Sequence, residues 1–176
     1  MISGNYSLSL PKHTDAPLLL DLLTRNKLRL VDYFPTTLES IKDIVSARTF
    51  IKKKISQAKK KENFSFIITD GKKEIVGMIF IKNMDWRIPK AELAYFIDKD
   101  HEGKGIATEA MSTIVNYCFS DLKMNKLFLR VAPANKGSQR VAEKNKFKRE
   151  GTMRKDFRTT NGKLIDLYYY GLVRGK

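Results

Sequence analysis

The chain has little cysteine, little histidine and little acid. Cysteine occurs once, at Cys118, and histidine twice in 176 residues. A lone cysteine excludes an internal disulfide and fits a reducing compartment, so a cytoplasmic location is expected. So small a set of soft ligands argues against a transition-metal site, and no metal is expected. No apolar run approaches the roughly 18 residues that a membrane-spanning helix needs, which excludes a helical membrane anchor from the expectation. The opening residues MISGNYSLSLPKHTD hold no basic start followed by an apolar core, so no secretory signal is expected. Low-complexity segments, repeats and linker-like stretches are also missing.

The acid deficit has its own meaning. Asp and Glu number 19 against 34 Lys and Arg, a net charge of +15. Such a field draws polyanions: nucleic acid, ribosomes or the phosphates of a nucleotide cofactor. A lysine-rich composition that merely aids solubility is the alternative. The clusters Lys52-Lys53-Lys54 and Lys59-Lys60-Lys61 read first as a solvated helix face. The hydrophobic fraction of 42% is that of a folded globular chain, and the length suits a single domain over residues 1–176 with a real core.

Periodicity sets the expected elements. Tyr6–Leu10 alternates as a first strand. Thr14 reads as an N-cap with Pro17 in the first turn, opening a leucine-rich helix to about Tyr33, with Pro35 beyond it. A second helix is expected from about Leu38 to Lys60, with Ile41, Ile44, Ile51, Ile55 and Ala58 as its apolar stripe. Phe64–Thr69 and Glu74–Lys82 read as a hairpin turning at Asp70-Gly71. Asn83–Lys90 reads as a loop, Lys126–Val131 as a strand and Lys136–Asn145 as a short helix. Thr152–Arg158 and Lys163–Val173 close the chain as a second hairpin turning at Asn161-Gly162.

The most informative stretch is Ala91–Ala110, AELAYFIDKDHEGKGIATEA. Leu93, Tyr95 and Ile97 alternate with Glu92, Ala94 and Phe96 as a strand. A polar turn with two glycines follows, and then a helix from about Gly105, with Ala107, Ala110, Met111, Ile114 and Cys118 on one stripe. The first turn of a helix offers unpaired backbone N–H groups and partial positive charge. Gly103 and Gly105 allow close approach, Lys104 adds a charge and Thr108 a hydroxyl, so the stretch suits a phosphate or pyrophosphate. A Walker loop is absent, and Thr108 stands where a dinucleotide fingerprint needs its third glycine.

Asp100-His101-Glu102-Gly103-Lys104-Gly105 resembles the acetyl-CoA-binding motif of the GNAT superfamily of N-acetyltransferases, Gln/Arg-x-x-Gly-x-Gly/Ala. With Ala-Glu-Leu-Ala-Tyr before it and Gly-Lys-Gly-Ile-Ala-Thr-Glu-Ala across it, the chain resembles the ribosomal-protein N-acetyltransferase branch. The resemblance implies an α+β fold: a mixed, mostly antiparallel central sheet flanked by helices, with a splayed central strand pair. It implies acetyl-CoA as co-substrate, with backbone groups near Phe96, Ile97 and Lys99 on the pantetheine arm. Gly103, Lys104, Gly105, Ile106, Ala107 and Thr108 would surround the pyrophosphate.

Asn135–Phe147 resembles the family's second cofactor segment, Asn-x-x-Ser/Ala ending in Gly-Phe. Asn135 would contact the pantetheine, or act simply as a helix N-cap, or both. Many relatives place a tyrosine seven residues after this asparagine to protonate the leaving thiolate. Here the position is Ala142, which leaves Ser138 as candidate donor. Glu92, in the shared Ala-Glu-Leu-Ala-Tyr run, is the candidate general base through water. Its alternative is a cross-strand ion pair with a lysine. Tyr95 reads as a core aromatic and His13 as a surface residue, while Asp166 and Tyr169 are candidates to face an acceptor groove. Two departures stand out. Asp100 puts negative charge where relatives carry Gln or Arg. Lys146 occupies the Gly-Phe glycine, where a left-handed backbone would cost about 1 kcal/mol.

The function implied is transfer of an acetyl group by direct attack of a primary amine, with a protein N-terminal α-amine of ribosomal-protein type as leading acceptor. An α-amino pKa near 8 leaves a useful neutral fraction at pH 7, whereas lysine needs more help. A small-molecule amine acceptor stays open, as does a non-catalytic CoA- or nucleic-acid-binding module. Ribosome association from the basic charge and a homodimer are further expectations, the second by analogy alone.

Overall fold

A computed structural model describes residues 5–175. Seven strands form a mixed sheet in the order β1-β2-β3-β4-β5-β7-β6. They are β1 (Ser7–Ser9), β2 (Phe64–Thr69), β3 (Ile75–Asp85), β4 (Lys90–Ile97), β5 (Lys126–Val131), β6 (Lys148–Arg158) and β7 (Leu164–Val173). The helices are α1 (Ala16–Arg25), α2 (Lys27–Leu30), α3 (Pro35–Ser40), α4 (Ile44–Lys59), α5 (Ile106–Ser120) and α6 (Lys136–Lys144). Backbone packing divides the chain into two compact units, one running to Phe80 and including Tyr95–Ile106, the other comprising Ile81–Ala94 and the residues from Ala107 onward.

In the first unit α1 packs on α4, and α4 on β2. Ala16, Leu19, Leu22 and Leu23 of α1 are buried at helical spacing, as are Ala47, Phe50 and Ile51 of α4. Phe34, Phe80 and Phe96 add an aromatic cluster with centroids 5.1–6.2 Å apart. Two helix boundaries depart from the sequence expectation. The leucine helix does not reach Tyr33 but ends at Asn26, whose backbone leaves the helical region at φ −108° and ψ 6°. This asparagine is buried and its amide bonds elsewhere in the unit, as described below. The helix expected over Leu38–Lys60 is broken by Asp43. Its carboxylate accepts from Ser46 N at 2.8 Å, and Ser46 Oγ accepts from Asp43 N at 3.0 Å, so α4 starts there with a capping box. Asp15, rather than Thr14, is the residue preceding α1, with Pro17 in the first turn.

In the second unit β5 alternates: Leu127, Leu129 and Val131 are buried, whereas Phe128 and Arg130 stand on the other face. β5 pairs with β7 antiparallel through all six of its residues, Lys126↔Val173 to Val131↔Tyr168. Its parallel pairing with β4 covers only Lys90↔Lys126, Ala91↔Leu127 and Glu92↔Phe128. Beyond Glu92 the two strands splay, and the rest of β4 has no partner in β5. β3 extends to Asp85, three residues further than periodicity suggests, because Lys82 and Asn83 turn toward Glu92. α6 ends in a two-bond cap, with Lys146 N donating to Glu143 O (2.9 Å) and Phe147 N to Ala142 O (3.0 Å). Lys146 takes the left-handed position at φ 65°.

Candidate active site

The turn after β4 is built on a buried polar hub. Asp98 and Asn26 are 2% and 1% exposed. Asn26 Nδ2 donates to Asp98 Oδ1 at 2.9 Å, and Asn26 Oδ1 accepts the Lys99 backbone N–H at 3.0 Å. Arg25 Nε donates to Asp98 Oδ2 at 2.8 Å and its Nη2 to Ile75 O at 2.9 Å. Asp98 N itself donates to Val76 O at 2.8 Å. Burial pushes the Asp98 carboxyl up, but hydrogen bonds from Arg25 and Asn26 and the Arg25 charge outweigh it and hold the carboxyl below its ordinary range. The break at Asn26 therefore has a purpose in the fold: it anchors the residues that lead into the glycine turn.

Gly103 and Gly105 both have positive φ, 75° and 80°, and a Cβ built on either meets no atom within 4 Å. Both glycines are needed for backbone conformation, and both leave open space beside the chain just before α5. Lys104 Nζ donates to the Asp100 carbonyl at 2.8 Å, which folds the turn on itself. Glu102 is paired with Arg29. Ile106 is buried, while Ala107 and Thr108 are partly exposed in the first turn of α5.

Phe96 and Ile97 are buried, and β3 comes close to them. A Cβ at Gly77 would lie 2.6 Å from Phe96 O and 2.8 Å from Ile97 Cδ1. The Lys99 N–H is already donated to Asn26, so the free backbone donor expected there is engaged.

In the second unit Glu92 is 3% exposed and surrounded by donors. Arg130 approaches with Nε on Oε1 and Nη2 on Oε2, each at 3.2 Å. Lys82 Nζ lies 3.3 Å from Oε1, and Asn83 Nδ2 donates to Oε2 at 2.6 Å. Arg130 reaches on to Asp156 at 3.3 Å. Burial works against the Arg130 charge, but the carboxylates of Glu92 and Asp156 outweigh it and raise the guanidinium above its ordinary value. The lysine ion pair foreseen as the alternative for Glu92 is present, joined by an arginine that sequence reasoning did not single out. Alternation in β5 was the signal for it, since Lys126, Phe128 and Arg130 must share a face.

Asn135 precedes α6, and its Oδ1 accepts the Ser138 backbone N–H at 2.9 Å, the N-cap geometry. Ser138 is partly exposed in that first turn, and Ala142 is buried. Asn145 Nδ2 donates to the Thr108 carbonyl at 3.1 Å, linking the end of α6 to the first turn of α5. Tyr169 stacks on Phe128 at 5.0 Å, and Asp166 accepts the Lys155 N–H at 2.9 Å. Cys118 is buried, which pushes its thiol up to about 12. Such a thiol carries almost no thiolate near neutrality, which leaves the chain without a cysteine nucleophile.

Residues 7–148 match the acetyltransferase (GNAT) domain family. The chain is 30% identical over 134 residues to an uncharacterized N-acetyltransferase of Bacillus licheniformis, covering 75% of this chain and 74% of that protein. It is 38% identical over 108 residues to YdaF of Bacillus subtilis, named as a ribosomal N-acetyltransferase, covering 61% of this chain and 57% of that protein. A more distant relative is a spermidine N(1)-acetyltransferase of Vibrio cholerae, 26% identical over 111 residues, covering 63% of this chain and 64% of that protein. The chain thus matches little more than half the length of YdaF. Among solved structures, ribosomal-protein-S5-alanine acetyltransferase from Vibrio fischeri superposes with a TM-score of 0.92 at 20% identity, over 98% of this chain and 95% of that one, a likeness of fold. The chain belongs to the GNAT acetyltransferase family, and is an N-acetyltransferase whose acetyl donor is acetyl-CoA.

Proposed function

We propose that the chain acetylates the N-terminal α-amine of a protein, of the ribosomal-protein type, by direct attack on acetyl-CoA. The observation that carries the cofactor half is the turn before α5, where two left-handed glycines leave open space beside a helix N-terminus. In this reading Gly103, Lys104, Gly105, Ile106, Ala107 and Thr108 bind the pyrophosphate, and Phe96, Ile97 and Lys99 line the pantetheine arm. Lys99 does so without its engaged N–H. Asn135 is assigned to contact with the cofactor, and Ser138 acts as donor to the leaving thiolate. Glu92 receives the amine's proton through water.

Direct attack balances simply. The neutral amine nitrogen bonds to the thioester carbonyl carbon, the C–S bond breaks, the amine loses a proton and the CoA thiolate gains one. An inert Cys118 supports a route without an acyl-cysteine intermediate. The α-amine is favoured because it is partly neutral at pH 7 without strong base assistance, and Glu92 already accepts hydrogen bonds on both oxygens. The relative named a spermidine N(1)-acetyltransferase supports a second reading, in which a small polyamine is the acceptor.

The test combines two measurements. Acetyl-CoA at about 100 times its Kd is expected to stabilise the protein by roughly 2.7 kcal/mol, with ATP and NAD without effect. Mass spectrometry then follows acetylation of N-terminal peptides of ribosomal proteins against spermidine. Faster acetylation of spermidine would replace the α-amine reading with the polyamine one. Absence of a thermal shift would remove the assignment of the glycine turn.

A further inference from the structure

Between positions 44 and 61 the sequence holds seven Lys or Arg and no Asp or Glu. Nearly all of this stretch is α4. At 100° per residue, Arg48, Lys52 and Lys59 fall in one row on the helix, and Lys53, Ser56 and Lys60 in the next. All six are exposed. The opposite side buries Ala47, Phe50 and Ile51, and Lys54 folds over the Phe50 and Phe80 rings at 5.1 and 5.8 Å. Among the described residues none of the five outward cations forms an ion pair with an acid.

Elsewhere in the chain some cations are ion-paired and others are not; what sets α4 apart is that its cations share one exposed face with no acid among them. Arg25, Arg29, Lys82, Lys126 and Arg130 each have a carboxylate partner. On α4, Arg48 and Lys52 are like charges one turn apart, an arrangement that destabilises a helix. Attraction to the C-terminal end of the helix dipole accounts for Lys59 and Lys60, but not for Arg48, Lys52 and Lys53, which lie further back. The face is about 16 Å long from Arg48 to Lys59. It lacks aromatic side chains on which unpaired bases would stack, and the apolar side of α4 is used up in the core, so it is not available to insert into lipid. What remains is a ladder of cations with a serine hydroxyl between them, the set that contacts a phosphate backbone.

We propose that the outward face of α4 docks the phosphate backbone of duplex RNA. Commitment to RNA rests on the proposed ribosomal-protein acceptor, because such a substrate is presented beside structured RNA. Docking would raise the local concentration of the acceptor without any new contact to the reacting amine.

The experiment measures fluorescence anisotropy of a labelled RNA duplex at several salt concentrations, with a DNA duplex of matched sequence and anionic vesicles as the other arms. The test variant is Lys52→Glu/Lys53→Glu/Lys60→Glu. The control carries three reversals on β6 and the turn that follows it, Lys148→Glu/Arg154→Glu/Lys163→Glu. The expected result is at least about tenfold weaker RNA binding for the α4 variant alone, with the slope of log K against log salt shallower by about 2 to 3. Equal weakening by both variants would overturn the proposal in favour of a general basic field. DNA bound as tightly as RNA, or vesicles bound more tightly, would overturn the RNA assignment. Thermal stabilisation by acetyl-CoA and turnover of a free peptide are measured on both variants. If unmodified protein lacks these, the acetyltransferase acceptor reading fails, whereas RNA binding by α4 is still decided by the anisotropy.

Discussion

Replacing Glu92 by glutamine tests the chemistry and the electrostatics together. The side chain keeps its shape and loses its charge. In the parent, a carboxylate that is 3% exposed faces Arg130 through two contacts of 3.2 Å, Lys82 at 3.3 Å and Asn83 at 2.6 Å. Removing one partner of a buried ion pair costs about 3–5 kcal/mol. Here the cost is lower, because Arg130 keeps Asp156 and the Arg130 and Lys82 side chains are 30% and 40% exposed. About 2–3 kcal/mol is expected, which for a domain of this size lowers the melting temperature by roughly 4–12 °C. The assay is a thermal melt followed by kcat/KM against pH, at a temperature where the variant is fully folded. As proton acceptor, Glu92 contributes about 10²- to 10⁴-fold, so kcat/KM should fall by that factor while acetyl-CoA still stabilises the variant. A melting temperature within a degree of the parent would refute the ion-pair reasoning. Unchanged kcat/KM with a lowered melting temperature would leave Glu92 as an anchor for Arg130 and remove it as the base. The double variant with Arg130→Met should show a coupling of about 0.5–3 kcal/mol, since the two side chains touch.

Three further outcomes follow from the same structure. Asp98→Asn should melt well below the parent at pH 7. The folded carboxyl lies below its ordinary range, so its stabilisation is complete above about pH 4 and is lost as pH falls through the lower folded value; the gap between variant and parent should close on acidification, and a gap independent of pH would refute the assignment. Lys146→Gly should stabilise by about 0.5–1 kcal/mol, the left-handed strain of about 1–2 kcal/mol less the extra chain entropy of glycine, and a lower melting temperature would contradict this. Gly77→Ala should cost about 1–3 kcal/mol, because the new methyl would meet the Phe96 carbonyl at 2.6 Å; calorimetry showing no loss would mean that β3 and β4 relax freely there.

Features carried by neighbouring residues were legible in the sequence. The strand, glycine turn and helix of residues 91–120 follow from periodicity and from the two glycines, whose positive φ values need no distant partner. The splay of the central strands came with the family resemblance, and the register of β4 on β5 shows it. Lys146 in a left-handed cap could be foreseen from its place in a motif. The first hairpin was less transparent. Asp70-Gly71 marks the turn, yet the left-handed residue is Lys73 at φ 66°, whereas in the second hairpin it is Gly162 at φ 83°. Turn type depends on how many residues the paired strands leave between them, which composition alone does not specify.

By itself, then, the sequence determined the succession of strands and the glycine turn, because sterics and periodicity act over a few residues, and its motifs pointed to the family; the two helices expected between β1 and β2 are four. Only the tertiary structure decided the partners of the buried polar groups. Asn26 interrupts an otherwise good leucine helix because Asp98 and the Lys99 N–H, 72 and 73 residues away, take up its amide. Glu92 is matched to Arg130 as well as to Lys82 because parallel register brings together strands whose residues lie 38 apart in sequence. A buried charge must find a donor, and which donor lies within reach is set by strand register and helix packing, not by any local property of the residue itself.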